Sequence, residues 1–291
     1  MAPKTFYILD VFAEQKYAGN QLAVIRGGGQ LSQAEMQQIA LEMNYSETTF
    51  IMSETEMQGG FDVRIFTPKT ELPFAGHPTL GTAWVIQREI LGEPVDKVTL
   101  NLGVGKIPVT FTDEGILWMK QVEPEFDRPI TALTMSGVLS LDEEDIDEKF
   151  ASQKVSTGFF SIIVPVKSLD AVKRARIDRA LHDHLIENTG PCGILVFCPE
   201  PVDSENTLHA RFFADALGVP EDPATGSANG CLAGWLVKHR YFGSDSIDIK
   251  VEQGYEMGRP SILYLKASES DSKIDVNVGG KVVMVAKGEL V

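Results

Sequence analysis

Two stretches of the chain combine residue types suited to handling an anion and a proton. Pro73-Phe74-Ala75-Gly76-His77-Pro78-Thr79-Leu80-Gly81 and Asp222-Pro223-Ala224-Thr225-Gly226-Ser227-Ala228-Asn229-Gly230 share a Pro-x-x-Gly spacing. Each runs into an apolar helical segment, through Ala83-Trp84-Val85-Ile86 in one case and Cys231-Leu232-Ala233-Gly234-Trp235-Leu236 in the other. Proline and glycine favour a tight bend, and a helix start leaves several N–H groups unpaired, a cradle for a carboxylate or another anion. His77 follows the first turn's glycine; an imidazole there suits a proton carrier or a donor to substrate, or else a capping or packed ring. Ser227 is placed to cap the second helix. Two matched helix starts imply two matched halves facing one site.

Other polar residues carry weaker signals. Glu47, in Asn44-Tyr45-Ser46-Glu47-Thr48-Thr49-Phe50-Ile51, lies between a helix end and a β-like run, where a carboxylate is ordinarily solvated. Asn20 follows Gly19 at a turn that wants a residue tolerant of positive φ. His182 and His184 are two apart on a helical segment and so point to different faces, which disfavours a metal pair; no metal site is expected. Cys192, Cys198 and Cys231 are odd in number and sit in apolar sequence, so buried, reduced thiols are expected rather than a disulfide frame.

The elements that must position these groups follow from hydrophobic period. Phe6 to Phe12 and Leu22 to Ile25 read as paired strands, and Leu31-Ser32-Gln33-Ala34-Glu35 is a capping box for a helix whose face is Met36, Ile39, Ala40 and Met43. The strand Phe61 to Phe66 leads into the first turn, and three short strands follow its helix. Pro124 to about Phe150, rich in acids, reads as a surface segment with short helical pieces. Lys154 to Val166 is strand-like with a break at Thr157-Gly158, and Ser168 to Glu187 is a solvated helical region. Cys192 to Cys198 and Leu208 to Ala214 are apolar strands, the second running into the Asp222 turn. Strand, loop, Pro-x-x-Gly, helix and strands therefore occur twice. Near the end, Glu252-Gln253-Gly254-Tyr255-Glu256-Met257-Gly258-Arg259-Pro260-Ser261 is a polar, glycine-punctuated loop between closing strands, long enough to reach a central site.

The 291 residues are about twice an ordinary domain, so two domains or one fold of two halves is expected. With 26 Lys and Arg against 41 Asp and Glu, the net charge of -15 repels nucleic acid and anionic membrane, and neither is expected as a partner. An acidic protein that handles an acidic substrate must attract it locally, through helix starts or a few placed donors. No apolar run is long enough to span a bilayer and the first residues lack a signal-peptide core, so a cytoplasmic location is expected.

Gly19-Asn20, Ser46-Glu47-Thr48, Gly76-His77-Pro78, Glu221-Asp222-Pro223-Ala224-Thr225-Gly226-Ser227-Ala228, the Glu252 to Ser261 loop and Gly279-Gly280 together resemble the PhzF family of phenazine biosynthesis proteins, in order and over nearly the whole chain. The resemblance implies an α/β (α+β) chain with the diaminopimelate-epimerase-like fold: two pseudo-symmetric halves, each a curved, barrel-like sheet around a central helix, with the site in the cleft between them. Residues 1–118, completed by residues 282–291, are expected to form the first half and residues 119–281 the second.

The same resemblance implies a cofactor-free isomerase, usually a homodimer, that moves a proton within a small cyclic, carboxylate-bearing substrate such as trans-2,3-dihydro-3-hydroxyanthranilate. Glu47 would be the proton-shuttling acid/base, with His77 and Asp222 as its catalytic partners. Ser46, Gly76, Gly226, Ser227, Asn20 and Arg259 would bind substrate, the two glycines by letting backbone N–H groups approach its carboxylate. Epimerases of this fold use two opposed thiols just before the two turn glycines. Here those positions hold Ala75 and Thr225, which excludes a two-thiol mechanism. The alternatives are a related lyase or hydratase using the same Glu47, and a binding or regulatory protein that kept the cleft without turnover.

Overall fold

The computed structural model describes residues 3–217 and 219–291. The chain divides into two compact units, Met1–Met119 with Gly279–Val291, and Lys120–Val278. Among the described residues no helix is long and apolar enough to cross a membrane.

The first unit begins with β1 (Lys4–Val11) and β2 (Asn20–Arg26), then α1 (Gln33–Met43), β3 (Glu47–Ile51), β4 (Phe61–Phe66) and the short β5 (Glu71–Leu72). The helix α2 (Gly76–Val85) follows, with a π-helical extension over Ile86–Leu91, and then β6 (Lys97–Leu102), β7 (Gly105–Phe111) and β8 (Leu117–Lys120). α1 starts as its sequence demands: the Ser32 side chain accepts from the Glu35 N–H while the Glu35 carboxylate accepts from the Ser32 N–H. It lies on the outside of the sheet, where Met36 and Ala40 pack against Ile25, Phe50 and Phe66.

α2 is different in kind. Every residue from His77 to Ala83 is buried, and the helix packs on β1, β2, β3, β6 and β7. A helix apolar all round must be enclosed, and here the sheet curves about it. Close approach is possible because Gly81 has no Cβ, which would otherwise stand 2.5 Å from the Leu22 Cδ2 atom.

The second unit contains β9 (Glu125–Ile130), α3 (Ala132–Leu139), β10 (Ser152–Ser156), β11 (Phe160–Pro165), α4 (Leu169–Arg174), α5 (Arg179–Thr189), β12 (Gly193–Cys198) and β13 (Leu208–Ala214). β14 (Val219–Asp222), α6 (Gly226–Lys238), β15 (Ser246–Gln253) and β16 (Ser261–Ser270) follow. β17 (Lys273–Gly280) ends with the two glycines at which the chain returns to the first unit, where β18 (Val282–Leu290) pairs antiparallel with β1. α6 is buried almost throughout and packs on β10, β11, β12, β15 and β16. It is this unit's enclosed helix, as α2 is the other's.

The repetition extends to strand direction. In the first unit the pairs β18/β1, β1/β2, β2/β3, β3/β4, β4/β6 and β6/β7 run antiparallel, antiparallel, parallel, antiparallel, parallel, antiparallel. In the second, β9/β10, β10/β11, β11/β12, β12/β13, β13/β15 and β15/β16 give the same series. This is the diaminopimelate-epimerase-like α/β fold, with a curved sheet around one helix in each unit.

Two expectations from the sequence need correction. The acidic stretch after Pro124 is not simply surface: β9 joins the sheet, and Met135, Val138 and Leu139 of α3 are core residues packed with Ile162, Val164, Leu185 and Ile194. Its many carboxylates mask a buried helical face. At the Gly19-Asn20 turn, positive φ falls on Tyr17 (68°) and Gly19 (64°), whereas Asn20 is a buried strand residue opposite Val11.

Candidate functional site

Glu47 is the first residue of β3. α1 stops at Asn44, whose left-handed backbone (φ 53°) turns the chain, and β3 then enters the sheet parallel to β2 with Glu47 opposite Leu22. His77 is the second residue of α2 and is 6 % exposed. Its Nε2 lies 3.3 Å from the Gln21 carbonyl oxygen and 3.4 Å from Oε2 of Glu47, whose side chain is 17 % exposed. A carbonyl only accepts, so Nε2 carries the proton and donates it to Gln21, with Oε2 of Glu47 close beside the same nitrogen.

The spacing alone would permit an ion pair, but burial pulls the His77 pKa down to about 3 against the smaller opposing pull of the Gln21 carbonyl. The ring is neutral near pH 7, and Glu47 has an uncharged imidazole as its neighbour. The strand and helix that carry the two groups are fixed to one another below them by a buried hydroxyl pair, Thr49 Oγ1 and Thr82 Oγ1, at 2.8 Å.

The helix starts themselves differ from those elsewhere in the chain. α1, α3, α4 and α5 are each capped by a side chain, from Ser32, Thr131, Ser168 and Asp178. α2 and α6 are not. At α2 the N-cap residue is Ala75, which has nothing to offer. At α6 it is Thr225, a good cap by type, yet its hydroxyl donates to Oδ2 of Asp222 instead. Both first turns therefore keep N–H groups without side-chain caps, the arrangement that favours an anion.

Ser227 does not cap α6, contrary to expectation: it is the second helical residue, half-buried, one turn position too late to accept from its own helix start. Gly76 and Gly226 are the first residues of the two helices. Ser46 is half-buried beside Glu47 in sequence, and Asn20 is buried at the start of β2. Arg259 is half-buried in the loop after β15, its N–H donating to the Gly254 carbonyl at 3.0 Å. A cavity of about 610 Å³ in the first unit is lined by Met52, Arg64, Glu71 and Asn101 among others; neither Glu47 nor His77 borders it.

The internal repeat shows that only one unit carries an acid at the strand start. β12 corresponds to β3 in the series, and its first residue is Gly193 where β3 has Glu47. A Cβ at Gly193 would stand 2.1 Å from the Phe212 ring, so no side chain fits there. The thiols are equally unsuited to catalysis. All three cysteines are free and buried, and burial pushes Cys198 up to about 12 and Cys231 up to about 11.

Sequence reading missed two polar groups inside one apolar strand. His209 and Arg211 lie in β13, read as apolar, and both are buried. Arg211 makes a bidentate pair with Glu221 at 2.8 and 2.9 Å and donates to the carbonyls of Val172 and Ala175 at 3.0 Å, closing the end of α4. Their alternation with apolar residues at 208, 210 and 212 was the available signal. His182 and His184 do face opposite ways, the first buried and the second exposed.

Comparison with known proteins gives a consistent result. The family model for phenazine biosynthesis-like proteins, PhzC-PhzF, matches residues 9–288. The chain is 34 % identical to the trans-2,3-dihydro-3-hydroxyanthranilate isomerase of Pseudomonas fluorescens, over 98 % of this chain and 99 % of that one. It is 32 % identical to an uncharacterized isomerase of Clostridium acetobutylicum, over 98 % and 97 %. Among solved structures, the Bacillus anthracis phenazine biosynthesis protein of the PhzF family superposes with a TM-score of 0.90 at 25 % identity, each chain covered fully. A probable proline racemase from Agrobacterium radiobacter, 11 % identical with a TM-score of 0.63 over 99 % of this chain and 93 % of its own, shares the fold alone.

Proposed function

The chain belongs to the PhzC-PhzF family of phenazine biosynthesis-like proteins and is an isomerase; from that premise we propose that it relocates a proton within a small carboxylate-bearing, cyclic, unsaturated substrate of the trans-2,3-dihydro-3-hydroxyanthranilate type. Glu47 takes the proton from one carbon and returns it to another. Such a transfer needs one group competent in both directions, and a half-buried carboxylate beside a neutral imidazole suits it. The 3.4 Å contact between Glu47 and His77 is the observation that carries this reading.

His77, its Nε2 beside Glu47 and its proton on the Gln21 carbonyl, accommodates the carboxyl's change of charge without changing its own. The N–H groups at the starts of α2 and α6, made approachable by Gly76 and Gly226, receive the substrate carboxylate. Asp222 and Ser227 are polar partners in the same reaction, and Ser46, Asn20 and Arg259 complete the binding surface. The working unit is proposed to be a homodimer.

The test is proton exchange in deuterated water, followed by NMR with dihydrohydroxyanthranilate and a panel of small cyclic acids. Uptake of deuterium by wild type and its loss in Glu47→Gln support the assignment. Exchange that persists in Glu47→Gln removes Glu47 from the role, and binding without exchange for any acid points to a non-catalytic protein.

A further inference from the structure

Gln253, the last residue of β15, is fully buried and spends its whole amide on the turn before α6 and on the helix's first turn. Its Oε1 accepts from Asn229 Nδ2 at 2.9 Å and from the Thr225 N–H at 3.3 Å. Its Nε2 donates to the Asp222 carbonyl at 2.8 Å and to Thr225 Oγ1 at 3.2 Å. Exchanging the amide's oxygen and nitrogen would set donor against donor at Thr225 N and acceptor against acceptor at Asp222, so the orientation is fixed by its partners.

The residue cannot drift from this position. Gly254, next in the chain, has φ 78° and sits where a Cβ would be 2.5 Å from the Pro223 carbonyl oxygen. On the other side Glu252, also fully buried, accepts from the N–H groups of Val202 and Asp203, from Asn206 Nδ2 at 2.9 Å and from His209 Nδ1 at 2.7 Å. The other His209 nitrogen lies 3.0 Å from Glu256 Oε1.

We propose that Gln253 is a positioning residue: by engaging the Thr225 hydroxyl it directs that group's proton onto Asp222 and keeps the N-cap oxygen off the first turn of α6. Threonine is a good N-cap by nature, and only the competing partners withhold it here. Gln253 thereby sets the direction of the Asp222 carboxyl and leaves the N–H groups of Ser227 and Ala228 available. This rests on the reading above, that the Asp222 turn serves the proton shift.

The experiment uses Gln253→Met, Gln253→Glu and Gln253→Met with Thr225→Val, all in the full chain. Amide exchange at Ser227 and Ala228 is followed by NMR without substrate, and binding of 2-aminobenzoate is measured as a carboxylate probe. In Gln253→Met the released hydroxyl caps the helix, slowing exchange of one of those amides about fivefold and weakening the probe by a similar factor. Thr225→Val, which cannot cap, restores both when added; a merely structural role for Gln253 would make the double variant worse. Gln253→Glu keeps the shape and loses the donors, so it serves if Gln253→Met does not fold, and the same slowing is expected. Unchanged amide exchange in the folded variant, or no recovery in the double variant, overturns the proposal. A wild type that exchanges no substrate proton overturns the assigned function but leaves the amide readout to judge Gln253 by itself.

Discussion

The Nε2 of His77 lies 3.4 Å from Oε2 of Glu47 and 3.3 Å from the Gln21 carbonyl, so a neutral imidazole is tied to a fixed backbone acceptor with a carboxyl beside it. The relationship separates the two roles. Glu47 changes protonation state during the proposed reaction, and His77 does not. Glu47→Gln is therefore expected to lower the exchange rate by about 10² to 10⁴, the range for loss of a general acid/base. His77→Gln, which keeps a donor, is expected to cost only about tenfold. Equal losses in the two variants would put the proton on both groups and contradict the division.

His77 also predicts a stability profile. Its folded pKa, about 3, lies below the ordinary imidazole value of 6.5, so between those values the unfolded chain binds the extra proton. The neutral form's contribution is complete above pH 6.5 and is lost as pH falls, by about 1.4 kcal/mol for each unit until pH 3 is approached. Urea unfolding of wild type and His77→Gln from pH 7 to pH 4.5 checks this. The wild-type curve should fall more steeply than that of the variant, and parallel curves would mean that the imidazole titrates normally.

How far the sequence foretold this arrangement depends on the kind of signal. The capping box at Ser32 and Glu35, the doubled Pro-x-x-Gly turns and the break at Thr157-Gly158 are local chemistry, and local chemistry survives folding. Ala75 and Thr225 were visible as the residues before the turn glycines, but that Thr225 would abandon its own helix for Asp222 was not, because Gln253 comes from a strand far along the chain. The contact between Glu47 and His77 is likewise set by a parallel strand crossing, and no spacing encodes it. Glu47, read by itself, looked solvated; only family resemblance raised it. His209 and Arg211 were hidden because a few polar residues in an apolar strand read as noise until their carboxylate partners are known.

The thiols provide a clean negative test. Cys198 and Cys231 are buried with pKa values pushed up to about 12 and 11, and Cys192 is buried with its pKa also raised by burial. The nucleophile is the thiolate, so at pH 8 almost none is present and none is accessible. Iodoacetamide at that pH is expected to leave proton exchange undiminished and to label the native chain negligibly by mass spectrometry. Inactivation that tracks modification of one cysteine would return a thiol to the mechanism.

His209 should behave opposite to His77. Burial pulls its pKa down, but the hydrogen bonds and charges of Glu252 and Glu256 outweigh that, and the value is raised. Its contribution to stability is full below pH 6.5 and fades as pH rises through the higher folded value. Replacement by Gln leaves the buried Glu252 charge without its imidazolium partner, for which a cost of about 3 kcal/mol at pH 6 is expected. The difference between wild type and His209→Gln should narrow toward pH 9. A difference that widens instead would show the ring to be neutral.

Gly193 tests the inequality of the two units. β3 and β12 take the same place in the repeated strand series, and only β3 begins with an acid. At Gly193 the space that a side chain would need is filled by the Phe212 ring, 2.1 Å from an added Cβ, and Phe212 is itself held as the partner of Leu195 and Asp222. Gly193→Ala must displace a buried aromatic ring, an overpacking expected to cost about 1 to 3 kcal/mol in urea unfolding. Truncating the ring at the same time, in Gly193→Ala with Phe212→Leu, should recover part of that loss, since the two positions compete for one volume. If the double variant is destabilised by the simple sum of the two single changes, Phe212 does not occupy the site, and the absence of a second acid would need another cause than want of room.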